Sequence, residues 1–556
     1  MTANWQKFCN YLFQSKEPDF LLDISRMEFT ESYLEAMEPR MQEVARRIQD
    51  LEDGGIVNID EHQMAGHYWL RAPELAPTPD LAQAIRGAQA QVKDFARQVH
   101  EGILRGPTGL PFTHILIIGI GGSHLGPHFI SDALWEKEAP CALYFINNTD
   151  PEGVDRVMGL LSDKLEATLT VVISKSGATV ETRNSLEEVR RCYAGKGLEI
   201  SRQALCITKQ GSKLDKMSRD EGWLASFPIW DWVGGRTSLF SPVGLLPLAL
   251  QGIDVQGLLD GAAGCDVLTR RKETRQNPAA LMALMWYAQT GGRGGQQMVV
   301  LPYKDRLELL GKHLQQLIME SLGKEKDLDG KIVHQGLTVF GNKGSTDQHS
   351  YVQQLLDGPG NFFVVFVEVL KDRKGPSPKI AEDSSSGDYL QAFLLGTQKA
   401  FSLRGRRSIT LTIPDITPAN LGALIALFER TVSYYALLVN INAYHQPAVE
   451  LGKKSADEVI KLKNQALSVL RARKEPSCSL EELVWDMESS AGTGKDSVER
   501  IILFKILQHL AANPYQDEWI SLESGGGPLD ELRIRYTKNE TNETDLSIGQ
   551  FSEASH

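Results

Sequence analysis

Short, unbroken apolar runs, each followed by a turn and a helical pattern, fill the middle of the chain. They occur at 114–122 (HILIIGIGG), 142–147 (ALYFIN), 169–174 (LTVVIS) and 204–208 (ALCIT). A run apolar on both faces that alternates with helices predicts a parallel strand buried between helical layers. A second block of the same kind, 277–455, carries QMVVLP at 297–302, FFVVFVEVL at 362–370 and SITLTI at 408–413. Residues 1–110 read as mainly helical. Met37, Met41, Val44, Ile48 and Leu51 recur at three- and four-residue spacing, and a second helical pattern covers 81–104. The pattern predicts an α/β protein with four parts: a helical N-terminal segment (1–110), two α/β domains with parallel sheets flanked by helices (111–276 and 277–455), and a helical C-terminal extension (456–556). The polar stretch 371–388 is expected to be an exposed loop. From about 535 apolar groups are few and disorder is expected.

Length agrees with that division, since 556 residues exceed what one hydrophobic core organises. A formal net charge of −12 argues against a general nucleic-acid or membrane-surface binder, because both partners call for a basic face. The apolar region 421–441 is interrupted by Glu429 and Arg430, so it reads as a core helix rather than a membrane span. The first twenty residues carry Lys7, Lys16, Glu17 and Asp19, which does not fit a signal peptide. Six cysteines lie scattered without a CxxC, as expected for buried free thiols in a reducing cytoplasm.

Open α/β sheets hold their ligands at the carboxyl ends of their strands, so the loops there are the ones to read. The first, Gly119-Ile-Gly-Gly-Ser-His-Leu-Gly126, misses the dinucleotide fingerprint, because His124 occupies its sixth position. The second, Ser174-Lys-Ser-Gly-Ala-Thr179, runs from a strand into a helix. Unpaired amides at a helix N-terminus, three hydroxyls and a lysine are the donors a phosphate dianion needs. In the third, Asp231-Trp-Val-Gly-Gly-Arg236, two glycines allow close approach of the backbone ahead of Arg236. Gln316, Glu320 and Lys324 follow at four-residue spacing on one helical face, a pattern that by itself describes a solvated Glu–Lys pair. No HxH, HExxH or carboxylate cluster marks a metal centre, and the His124/His128 pair lacks a third ligand. The stretch Ala491-Gly-Thr-Gly-Lys495 fails as a P-loop, with Ser489 ahead of it and Asp496 after the lysine.

In this order, the motifs resemble the glucose-6-phosphate isomerase family from about residue 55 to 455. The resemblance rests on Asn58, Asp60-Glu61, His67 and Leu70-Arg71; on the GIGGS turn with Ser123; and on the SKSGAT loop with Lys175. It rests equally on DWVGGR with Arg236, MESLGK with Glu320, Gln348-His349, and Tyr444, Gln446, Val449-Glu450 and Lys453. Departures are Thr237 at a usually aromatic place, Gln63 for the typical arginine and Ala448 for a common glycine. The resemblance implies two sugar-isomerase (SIS-type) domains and reversible aldose–ketose isomerisation of a hexose 6-phosphate through an enediolate, without metal or cofactor. It implies phosphate held by Ser123, Ser174, Lys175, Ser176 and Thr179, with Gly235, Gln316 and Gln446 lining the sugar. Glu320 would be the base, Arg236 the enediolate stabiliser, and His349 and Lys453 the ring-opening groups. A cytoplasmic homodimer with shared sites is also expected. The same motifs are compatible with an isomerase that also accepts mannose 6-phosphate, or with a sugar-phosphate-binding regulatory module. Glutamine-dependent amidotransfer would need an N-terminal cysteine nucleophile, and Cys9 sits in a helical, unprocessed context.

Overall fold

The computed structural model describes residues 3–491, 498–515, 518–523 and 532–538. The chain forms two compact units, divided after His445.

The first unit opens with helix Ala3–Tyr11 and a hairpin, β1 (Leu12–Lys16) and β2 (Asp19–Asp23). The N-terminal segment is mainly helical, as expected, but its unforeseen hairpin joins a large sheet, turning on the polar Lys16-Glu17-Pro18-Asp19 stretch. Behind it, helices Glu31–Glu52 and Pro79–His100 bury the stripes their spacing predicts, among them Met41, Val44, Ile48 and Leu51.

Five parallel strands build the first sheet: β3 (His114–Ile118), β4 (Ala142–Ile146), β5 (Thr168–Ile173), β6 (Ala204–Thr208) and β7 (Ala225–Pro228). Their spatial order is β4-β3-β5-β6-β7. The chain therefore reverses its direction of progress between β3 and β5, which leaves a crevice beyond their carboxyl ends. Every residue of β5 and β6 is buried, which explains their unbroken apolar sequences.

The second sheet contains β8 (Gln297–Pro302), β9 (Thr338–Phe340), β10 (Phe362–Val369) and β11 (Ser408–Ile413) as parallel neighbours in the order β9-β8-β10-β11. The antiparallel hairpin β2-β1 extends it beyond β11. Within 371–388 the exposed short strand Lys379–Ala381 pairs with the more buried Ser384–Ser385, and a capping box on Ser385 and Asp388 starts helix Ser386–Leu403.

Helix Pro418–Leu438 is long and apolar enough to cross a membrane, yet 94% of its most apolar window is buried inside the fold. It packs on helix Val255–Thr269, where Gly261 and Gly422 each bring a Cα against the other helix's backbone. Its two charges are neutralised in place. Arg430 bonds Asp266 at 2.9 Å and also Glu52; Arg71 grips Asp266 at 2.6 and 3.0 Å and also Glu429. A buried charge is tolerated only when paired and hydrogen-bonded in this way. The network ties Glu31–Glu52, the turn at His67–Leu70 and both helices together, and so fixes the helix that leads into residues 440–445.

The second unit begins at Gln446 and has its own core, which includes Leu467, Leu470, Leu483, Leu503, Leu507 and Ile534. Helix Pro447–Ala472 is followed by β12 (Ser477–Ser479), helices Leu480–Ala491 and Arg500–Ala512, then β13 (Glu518–Glu523) and β14 (Arg533–Lys538). The C-terminal extension, expected to be helical with a disordered tail, also holds an antiparallel sheet in the order β12-β14-β13. Helix–strand–helix–helix–strand–strand with that order is the connectivity of a winged helix. The tail expected to be disordered lies outside the described residues beyond Lys538, whereas 533–538 is strand. None of the six cysteines is paired, and only Cys9 is exposed.

Candidate active site

The loops after β3 and β5 flank the crevice at the reversal of strand order, since Ile118 and Val172 are register partners. After β5, Ser174 to Thr179 lead into helix Val180–Gly195, with Thr179 as its N-cap residue. Gly177 adopts φ +64° against the Leu214 amide, a conformation and a closeness that favour glycine. Hydroxyls order this loop: Ser174 Oγ lies 3.0 Å from Thr179 Oγ1 and accepts from the Gly177 amide, and Ser176 Oγ accepts from the Ala178 amide. The Lys175 ammonium donates to the carbonyls of Asp231 and Val233, each at 2.9 Å. It thereby ties the phosphate-type loop to the segment that delivers Arg236. Burial pushes this ammonium below its ordinary range, although Asp231 and Glu61 favour its charge.

The loop after β3 meets the same segment. A side chain at Gly122 would fall 1.8 Å from the Gly235 carbonyl, so the two backbones touch where only glycine fits. Ser238 Oγ secures this approach by bonding the carbonyl of Gly235 at 2.7 Å and that of Gly122 at 3.4 Å. On the other side, the Gln316 amide lies about one contact distance (3.1 Å) from where a Cβ on Gly121 would be. Ser123, Gly235 and Gln316 are thus drawn together at one end of the first sheet.

Gln316 and Glu320 stand on a π-helical turn, Gln315–Glu320, which continues the short helix Leu310–Leu314. Such wide turns are frequent at functional sites. Arg236 is buried; its Nη1 donates to the Ala443 carbonyl at 2.6 Å, and its Nε lies 3.3 Å from Glu320 Oε2. This is an ion pair without hydrogen-bond alignment, so Glu320 Oε2 receives no hydrogen bond among the described residues. The carboxylate keeps a lone pair for a proton.

The expected helical face of Gln316, Glu320 and Lys324 is corrected by the structure. The helix stops at Leu322, and Lys324 belongs to strand Lys324–Lys326. It is not a solvated partner either: the side chain is buried and its Nζ returns to bond the main-chain carbonyl of Glu320 at 2.8 Å. Burial, with the Arg236 guanidinium nearby, pushes its ammonium down to about 7 against the favourable charges of Glu320 and Asp60.

A second group escaped the sequence reading. Asp60 accepts from Asn442 at 2.8 Å and pairs with His445 at 3.2 Å, and Asn442 also bonds Asn58 at 3.0 Å. These bonds anchor residues 442–445, whose carbonyls hold Arg236. The Asn58-x-Asp60-Glu61 signature was the available signal.

His349 is exposed, on the turn Thr346–His349 that buried Asp347 fastens through the Asn342 amide at 2.9 Å and the Tyr351 hydroxyl. No hydrogen bond, ion pair or ring contact joins it to Arg236 or Glu320 among the described residues. Gln446 and Lys453 belong to the second unit, as the N-cap and an exposed residue of helix Pro447–Ala472. Among the described residues no group of three His, Cys, Asp or Glu side chains could hold a metal ion.

Fold and site together define an α/β protein with a hydroxyl-rich loop at its strand-order reversal, tied through Lys175 to the segment that carries Arg236 of a carboxylate–guanidinium pair. Comparison with known proteins places it further: the phosphoglucose isomerase family model matches residues 23–477, and the chain belongs to that family. It is 54% identical over 532 residues to the glucose-6-phosphate isomerase of Desulfitobacterium hafniense strain Y51, covering 96% of this chain and 98% of that one. The Geobacter sulfurreducens glucose-6-phosphate isomerase is 52% identical over 531 residues, 95% of this chain and 98% of that one. The crystal structure of a glucose-6-phosphate isomerase from Chlamydia trachomatis superposes with a TM-score of 0.75 at 26% identity, covering 84% of this chain and 93% of that one.

Proposed function

We propose that the chain interconverts glucose 6-phosphate and fructose 6-phosphate, the isomerisation step of glycolysis and gluconeogenesis, by proton transfer through a cis-enediolate. The observation that carries this reading is the pair of buried Arg236 and partly open Glu320 beside the loops after β3 and β5. A C–H next to a carbonyl is a weak acid, so its removal needs a positioned base and a stabilised oxyanion. Glu320, with one oxygen lacking a hydrogen bond, carries the proton between C2 and C1. The Arg236 guanidinium, held by the Ala443 carbonyl, lies where negative charge grows on the enediolate oxygens. Ser123, Ser174, Ser176 and Thr179 receive the phosphate with the amides of the helix N-terminus, and Lys175 braces that loop while adding positive charge. Gly235, Gln316 and Gln446 line the sugar, and His349 and Lys453 serve ring opening. Phosphate binding away from the reacting carbons can then be used to orient them.

The working unit in this reading is a homodimer with His349 acting in the partner's site. Two observations support it. His349 is exposed and apart from Glu320, and its turn leans on helix Ser386–Leu403 through the Gln348 amide, bonded to Thr397 and to the Phe393 carbonyl. That helix leaves Tyr389, Phe393 and Leu403 exposed. The domain assignment 111–276 and 277–455, one around each parallel sheet, belongs to the same proposal.

A coupled assay that converts fructose 6-phosphate to glucose 6-phosphate in the presence of chelator tests the function. Mannose 6-phosphate in parallel reports how strict the enzyme is at C2. Absence of turnover on both hexose phosphates would leave a binding module.

A further inference from the structure

Beside the site, Lys324 is a buried titratable group that the reaction as described does not use. The residue is 5% exposed, and its ammonium donates at 2.8 Å to the main-chain carbonyl of Glu320, at the end of the π turn. That carbonyl has no helical donor, because the helix ends at Leu322. A cation at a helix C-terminus is also favoured by the helix dipole. Four charged or titratable groups face it: Glu320 on the preceding π turn, Arg236 on the Gly235–Thr237 turn, Asp60 on the loop after strand Ile56–Asn58, and His445. Arg236 repels it and the two carboxylates attract it, while the His445 imidazole feels its charge. A lysine with these neighbours is not a generic surface residue. Burying an ammonium next to a guanidinium is unfavourable unless its charge or its hydrogen bond is used.

We propose that Lys324 is a positioning residue for the general base: its ammonium pins the Glu320 main chain at the end of the π turn and places a positive charge beside the Glu320 carboxylate. The inference rests on the assignment of Glu320 as that base. The hydrogen bond fixes where the carboxylate points relative to Arg236. The charge is present below about pH 7, where Lys324 is itself protonated.

The two contributions separate by substitution. Lys324→Gln can still donate to the carbonyl but carries no charge; Lys324→Met does neither; Lys324→Arg keeps the charge. Each is measured for the pH dependence of kcat, for affinity toward sorbitol 6-phosphate, which has no carbonyl to isomerise, and for thermal melting. Losing a neighbouring positive charge makes a carboxylate harder to ionise, so the acid limb of kcat should move up by about 1–2 pH units in Gln and Met variants. Turnover at pH values below the limb then falls roughly tenfold for each pH unit the limb moves, and recovers in alkali. Lys324→Arg should return the limb toward the wild-type position, and affinity for sorbitol 6-phosphate should stay within about threefold. An acid limb that stays in place in a folded Lys324→Gln or Lys324→Met variant overturns the proposal, whatever happens to kcat. Glu320→Gln is run alongside: activity in that variant overturns the base assignment, a different failure from an unmoved limb.

Discussion

Arg236 Nε and Glu320 Oε2 lie 3.3 Å apart in a site where the arginine is buried and the glutamate partly open. The arginine is positioned from behind, by the Ala443 carbonyl at 2.6 Å, rather than by the glutamate. The pair can therefore open when an enediolate enters, without loss of the guanidinium's anchor. Arg236→Lys keeps a charge but cannot reproduce the fork between Ala443 and the oxyanion. The expected outcome is a fall in kcat of about 10²–10³ with a smaller change in KM, read from steady-state kinetics.

The phosphate loop predicts the opposite split. Replacing Lys175 and Thr179 together by alanine removes the brace to the Asp231 and Val233 carbonyls and the N-cap hydroxyl bonded to Ser174. Binding of sorbitol 6-phosphate should weaken at least tenfold, in line with loss of charge-assisted hydrogen bonds of about 1.5–3 kcal/mol each. Unphosphorylated sorbitol should be affected little. Unchanged affinity for the phosphorylated ligand would put the anion site elsewhere.

Asp266 is the shared partner of Arg71 and Arg430 in the core. Burial opposes its charge, but the two guanidinium groups outweigh burial and hold the carboxyl well below the usual carboxylate range. A depressed folded-state value contributes stability that is present above the unfolded value, about 3.9, and is lost as pH falls toward the folded one. Asp266→Asn removes the carboxylate that Arg71 and Arg430 share, leaving each with one carboxylate partner, Glu429 and Glu52, and should cost about 3–5 kcal/mol at neutral pH. Thermal melting from pH 7 to pH 3 should show the gap between wild type and variant narrowing as the pH falls. A constant gap would mean that the loss comes from packing rather than from charge.

Mixed dimers test the shared site. Glu320→Gln and His349→Ala chains, denatured together and refolded, should form about half mixed dimers, each with one intact site if His349 acts across the interface. Roughly a quarter of wild-type activity should then return. No recovery, with mixed dimers shown to be present, would place His349 in its own chain's site.

Much of the fold could be read in the sequence because most parallel strands are buried on both faces and leave unbroken apolar runs. β3, β5, β6, β8, β10 and β11 were legible for that reason. β7 and β9 were not. They are edge strands of four and three residues, too short for periodicity to register. The β1-β2 hairpin was missed because its sequence mixes lysine, glutamine and aspartate with its apolar residues, as suits a sheet edge. In the site, Gly122, Gly177 and Arg236 could be singled out as glycine-rich turns with a charge. Lys324 could not be read correctly, since a lysine four residues after a glutamate looks the same whether solvated or buried. Only the end of the helix at Leu322 turns it inward.

The central claim is that Glu320 moves a proton through an enediolate, and isomerisation of fructose 6-phosphate in D2O, followed by NMR, tests it most directly. The account predicts that wild-type enzyme yields glucose 6-phosphate carrying deuterium at C2, because the enediolate takes its proton from a base in exchange with solvent. Glu320→Gln should lose at least about 10²–10⁴ in turnover while still binding sorbitol 6-phosphate, since its amide has the same shape but cannot accept the proton. Turnover in the Gln variant close to wild type, or wild-type product with no deuterium at C2 at any extent of reaction, would contradict it.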